Sequence, residues 1–139
     1  MQTIADEMAG RTLTELDHVR LEALLRRGAH LASPALVNQL LDDADLLPSR
    51  QIGADVVTMN SQVQLADPQD GGRRTLTLCY PADADAEAGR VSVFSPLGAA
   101  LLGCRVGDLA RWQTPYGEPL MAQILAILYQ PEASGDYTL

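Results

Sequence analysis

Lysine is absent from this chain: all ten basic residues are arginines, set against 18 Asp and Glu, for a net charge of −8. A surface that neutralises nucleic-acid phosphates needs a basic stripe. The nearest approaches are the pairs Arg26-Arg27 and Arg73-Arg74, so direct nucleic-acid binding is not expected. Without lysine, and without a glycine-rich phosphate loop, kinase chemistry is excluded as well. An acidic surface suits a basic protein partner or plain solubility. The only two cysteines, Cys79 and Cys104, have no metal-ligand spacing and are expected to be small buried hydrophobes in a reducing compartment. The two histidines, His18 and His30, lack a neighbouring Cys or His to complete a metal site or a catalytic pair, and are expected at the surface. No apolar run approaches the roughly 18–20 residues of a membrane helix. Met1–Gly10 is acidic and unlike a signal peptide. A cytoplasmic protein without membrane attachment is expected.

What is present is enough for one ordinary domain: 139 residues, 47% of them hydrophobic and 20% charged. Residues 12–47 read as a short antiparallel helical hairpin. Thr14 followed by Asp17 has the spacing of a capping box, and Leu16, Val19, Leu21, Ala23, Leu24 and Leu25 recur at helical spacing. Arg26-Arg27 complements the carboxyl end of the dipole and Gly28 ends the helix. Ser33-Pro34 starts the second helix as N-cap and first residue. Leu36, Val37, Leu40, Leu41, Ala44 and Leu47 form its apolar stripe, and Asp42, Asp43 and Asp45 a solvated face near its end.

Residues 48–54 break both periodicities and read as a linker. From residue 55 to 139 the period becomes two. Val57–Leu65, Thr75–Tyr80, Val91–Phe94, Leu109–Thr114 and Leu120–Tyr129 are expected as strands of an antiparallel sheet, the last one central. One helix follows Ser95-Pro96, with Gly98, Ala99 and Ala100 small enough to let its backbone approach the sheet. The class is α+β. Asp83–Gly89 has the acidic opening of a calcium loop, but its glycine falls one position late and Phe94 stands at the twelfth position. It is expected to be a solvated loop.

The segment Val91–Asp108, VSVFSPLGAALLGCRVGD, resembles the C-terminal domain of the Gre-type transcript-cleavage factors, where a strand, a Ser-Pro, an Ala-Leu-Leu-Gly helix and a Val-Gly-Asp turn recur in this order. Asp55–Ser61 and Tyr129–Tyr137 narrow the resemblance to short-armed relatives of those factors that regulate nucleoside diphosphate kinase. It spans roughly residues 12–139. The resemblance implies an FKBP-like fold for the sheet domain. It also implies docking on RNA polymerase at the rim of the secondary channel, with Phe94, Ser95 and Pro96 at the contact. Arg26, Arg27 and His30, at the hairpin tip, would then stand at the channel entrance.

In the cleavage factors a long coiled coil enters the channel and acidic residues at its tip hold a catalytic magnesium. Here the helix Glu15–Arg27 is short, and Arg26–Ser33 contains no carboxylate. Magnesium needs at least one. No metal, no cofactor and no enzyme activity are therefore expected. Prolyl isomerisation is not expected either, since the six aromatics, Tyr80, Phe94, Trp112, Tyr116, Tyr129 and Tyr137, are dispersed. The expected function is that of a non-catalytic regulator of transcription elongation that competes with cleavage factors, any effect on nucleoside diphosphate kinase being indirect. Two alternatives stay open: direct binding to that kinase, and a self-associating module. A monomer or weak homodimer is expected.

Overall fold

Thr14 begins the first helix as its sequence predicts, its Oγ1 accepting from the Asp17 N–H at 3.0 Å. The computed structural model describes residues 10–27 and 34–137. Helix α1, Glu15–Arg26, has 12 residues, about 18 Å at 1.5 Å per residue. Helix α2, Pro34–Asp43, packs against it. The connection that holds His30, with the expected Gly28 and Ser33 caps, lies outside the described residues. His18 departs from its expected surface position: its ring Nε2 is 3.2 Å from the Leu41 carbonyl, so it bridges the two helices.

Two short strands that the periodicity does not predict flank this pair. Thr12–Thr14 (β1) and Asp45–Leu47 (β2) lie parallel, Thr12 opposite Asp45 and Thr14 opposite Leu47. The helices thus form a crossover between parallel strands. Leu47 leaves the helical stripe because α2 stops at Asp43. Its last turn carries acids and no base, the wrong sign for the dipole at that end. The Asp45 N–H turns to the Arg11 carbonyl at 2.9 Å.

The main sheet has five strands, β3 (Gln62–Ala66), β4 (Arg73–Cys79), β5 (Arg90–Ser92), β6 (Leu109–Gln113) and β7 (Pro119–Tyr129). Their order is β5-β4-β3-β7-β6. β7 is paired on both sides, as expected of an inner strand, but β5 runs parallel to β4. The sheet is therefore mixed rather than antiparallel. The loop between them, with a 3-10 turn at Pro81–Asp83, crosses back so that Thr77 pairs with Arg90. Within that loop Asp85 turns its Oδ1 to the N–H groups of Glu87 and Ala88. The expected strand over 57–65 begins only at Gln62. Thr58 and Ser61 close a turn on each other, and Asn60 adopts φ 67°, a backbone that cannot continue a ladder. Alternate residues from Val57 to Leu65 are nevertheless buried.

Helix α3, Pro96–Leu101, packs on β5 and β6. Leu13, Leu21, Val37 and Leu40 join Val57, Met59, Leu78, Phe94 and Leu101 in one continuous core. The N-terminal helices and the sheet bury each other's apolar faces. Both cysteines are buried.

Candidate functional site

The turn between β5 and α3 is closed by its own side chains. The Ser95 N–H donates to the Ser92 carbonyl at 3.0 Å and the Phe94 N–H to Ser92 Oγ at 3.1 Å. Ser95 Oγ donates to the Ser92 carbonyl at 2.7 Å and accepts from the Gly98 N–H at 3.1 Å. Ser95 is thus the N-cap and Pro96 the first residue of α3. Of the three residues expected at the contact, Phe94 is 1% exposed in the core. That burial fixes the loop from below and leaves Ser95 and Pro96, half-buried, as its outward part.

Gly98 sets how closely α3 lies on the strand. A Cβ there would stand 2.0 Å from the Ser92 carbonyl oxygen and 2.8 Å from Val93 Cα. The other end of the helix is held by the N-terminal strand. Arg11, 6% exposed, donates from Nη1 to the carbonyls of Ala99 at 2.6 Å and Leu102 at 3.3 Å. This places a cation against the negative end of α3. The Thr12 N–H adds a bond to the Gly103 carbonyl at 3.2 Å.

A second junction ties α1 to the sheet. Asp17, 4% exposed, accepts from the Met59 N–H at 3.1 Å and lies 3.5 Å from the Tyr80 hydroxyl. Burial is the main reason its carboxyl is pushed up to about 6, and the charge of Glu132 adds to the rise. The Met59 and Thr14 hydrogen bonds and the Arg20 charge oppose it. Burial likewise raises the Tyr80 phenol. The C-terminal tail folds back onto the same region. Thr58 Oγ1 donates to Glu132 at 2.7 Å, and Gln130 Nε2 donates to the carbonyls of Gly53 at 2.8 Å and Val56 at 2.7 Å. The Arg50 guanidinium stands 4.6 Å over the Tyr137 ring.

Arg26 and Arg27 lie at the far end of α1 from these anchors. Arg26 is ion-paired to Glu22, and the Arg27 N–H closes the helix on the Ala23 carbonyl at 3.2 Å. His30 is outside the described residues. Arg11, Gln130 and the cross-chain role of Asp17 escape a sequence reading. Their partners lie 42 to 91 residues away, and no local period signals them.

Comparison with known proteins places these features. Residues 52–129 match the family model for the C-terminal part of the transcription elongation factors GreA and GreB. The "Regulator of nucleoside diphosphate kinase" of Escherichia coli strain K12 is 41% identical over 129 residues, 91% of this chain and 95% of that protein. The "Transcription elongation factor GreA" of Geobacillus kaustophilus is 33% identical over 92 residues, 66% of this chain and 58% of that one. A solved GreA/GreB elongation factor structure from Nitrosomonas europaea superposes with a TM-score of 0.68 at 34% identity. It covers 86% of this chain and 98% of that chain. These relatives are named as regulators or elongation factors, not as catalysts. Among the described residues no helix is long and apolar enough to cross a membrane.

Proposed function

Since this chain belongs to the GreA/GreB elongation factor family, in its branch of regulators of nucleoside diphosphate kinase, we propose that it is a non-catalytic regulator that binds RNA polymerase. It docks at the rim of the secondary channel and competes there with cleavage factors. Any effect on nucleoside diphosphate kinase follows from altered transcription. The observation that carries this reading is the β5–α3 loop. It is hydrogen-bonded to the strand end and to the helix start, anchored beneath by Phe94, and offers Ser95 and Pro96 outward at the sheet's edge strand. The arm supports the negative half of the reading. At 12 residues α1 is under two heptads, and the sequence between Arg26 and Ser33 has no carboxylate to hold a magnesium ion.

Replacing Ser95 by Asp and Pro96 by Ala together is expected to weaken binding to core polymerase at least about tenfold, the scale of losing one or two well-made interface contacts. Asp is itself a good N-cap but cannot donate to the Ser92 carbonyl as the Ser95 hydroxyl does, so the melting temperature should fall by a few degrees while the cooperative transition persists. Co-sedimentation with polymerase, alongside thermal denaturation, measures both. Unchanged affinity would move the docking surface elsewhere on the molecule.

On a backtracked elongation complex the protein is expected to release no 3′ transcript fragment, and to slow the fragment release stimulated by an added Gre factor in proportion to its concentration. Cleavage stimulated by this chain alone would overturn the proposal. So would a Gre factor whose activity is indifferent to it.

A further inference from the structure

At the end of the sheet away from Ser95, a cleft of about 300 Å³ opens on the core-facing side, and no residue of α3 lines it. Register fixes the separation. Ser95 follows the end where Cys79 pairs with Ser92, whereas the cleft surrounds the other end, where Ala66 pairs with Arg73. Leu65 and Ala122, both nearly fully buried, form the floor. Trp112 and Leu120, cross-strand partners on β6 and β7, form one wall. Arg74, opposite Leu65 across the β3–β4 ladder, shares its face and forms the other. The opening is small for a ligand site and mostly apolar, with a few polar groups at its edge, the usual make-up of a recognition pocket.

The charges at its edge select an occupant. Asp67 and Asp70 are engaged with the turn they sit in, accepting from the N–H groups of Gln69 at 2.8 Å and Gly72 at 2.7 Å. Arg73 and Arg74 are exposed and make no ion pair among the described residues. A guanidinium with free donors beside an apolar floor suits one carboxylate next to an apolar side chain. A polyphosphate would bring several negative charges against Asp67, Asp70 and a chain of net charge −8, where a peptide carboxylate brings one. We infer that this cleft binds a peptide segment of a partner protein, seating an apolar side chain between Trp112 and the floor and a neighbouring carboxylate on Arg74. The contact is separate from the docking loop and gives the molecule two points of attachment.

Trp112 is the sole tryptophan, so its fluorescence reports occupancy directly. The intact protein is titrated with a blocked hexapeptide centred on Leu-Leu-Asp, with the same peptide carrying Asn for Asp, and with GDP. The acidic peptide is expected to give a saturable emission shift. The amide peptide should bind about tenfold more weakly, as loss of a charge-assisted hydrogen bond implies. Arg74→Gln should lose the same factor for the acidic peptide and show no preference between the two, with an unaltered melting temperature. Equal affinity for the two peptides in the wild type would overturn the inference. The same holds for undiminished binding by Arg74→Gln, no saturable response to either peptide, or saturation by GDP instead.

Discussion

Gly98→Ala is expected to destabilise the protein by about 3 kcal/mol or more, at the upper end of what overpacking costs. Helix propensity points the other way: alanine at a helical glycine ordinarily stabilises by up to about 1 kcal/mol. The sign is therefore diagnostic. The added methyl would stand 2.0 Å from the Ser92 carbonyl oxygen and 2.8 Å from Val93 Cα. Both are backbone atoms, which cannot swing aside as a flexible side chain would. Relief requires α3 to move off the end of β5, and that movement pulls Ser95 from its two bonds to Ser92 and Gly98. Urea denaturation should show a lower midpoint with an unchanged slope. The surviving folded fraction should bind polymerase more weakly than wild type. A midpoint at or above wild type would mean that the helix does not lie as close to the strand as this geometry requires.

Asp17→Asn is expected to change how stability depends on pH. The carboxyl has a pKa of about 6 in the folded protein against 3.8 in the free side chain, so the folded state holds its proton more tightly than the unfolded state does. Its contribution is fully present below pH 3.8 and is lost as pH rises through about 6. The separation of roughly two units corresponds to about 3 kcal/mol. Asparagine keeps an oxygen that can accept from the Met59 N–H and removes the titration. Relative to wild type, the variant should therefore gain up to about 3 kcal/mol between pH 4 and pH 8. Carboxylates other than Glu132, whose charge Asp17 feels, titrate alike in both proteins and cancel in the difference. Paired urea melts at the two pH values measure it. Parallel curves would show that burial of Asp17 does not dominate its titration.

Local signals carried much of the architecture. Thr14 caps α1, Pro34 opens α2, Ser95-Pro96 opens α3, and period-two alternation marks the inner strands. Each of these depends on residues within about four positions, which is the range over which capping and amphipathic patterns act. The misread places are those where a tight turn interrupts an alternating run, or where pairing with another strand decides. The alternation over Val57–Leu65 is real in burial, but a side-chain turn between Thr58 and Ser61 interrupts the ladder. The two-residue-period run Val91–Phe94 predicts a strand without giving its direction, and β5 turns out to lie parallel to its neighbour. The short pair β1–β2 has too few residues for any period to appear.

The order of chemical types along the chain determined the fold class, the placement of the Ser95-Pro96 helix start and the absence of carboxylates between Arg26 and Ser33, because each is a property of neighbouring residues. Only the tertiary structure decided that Phe94 faces inward, that Arg11 closes the end of α3 and that Asp17 spans from the first helix to Met59. Those outcomes follow from burial. A cation or carboxylate removed from water must find a partner wherever the fold brings one, and for Arg11 and Asp17 that partner lies on another element altogether.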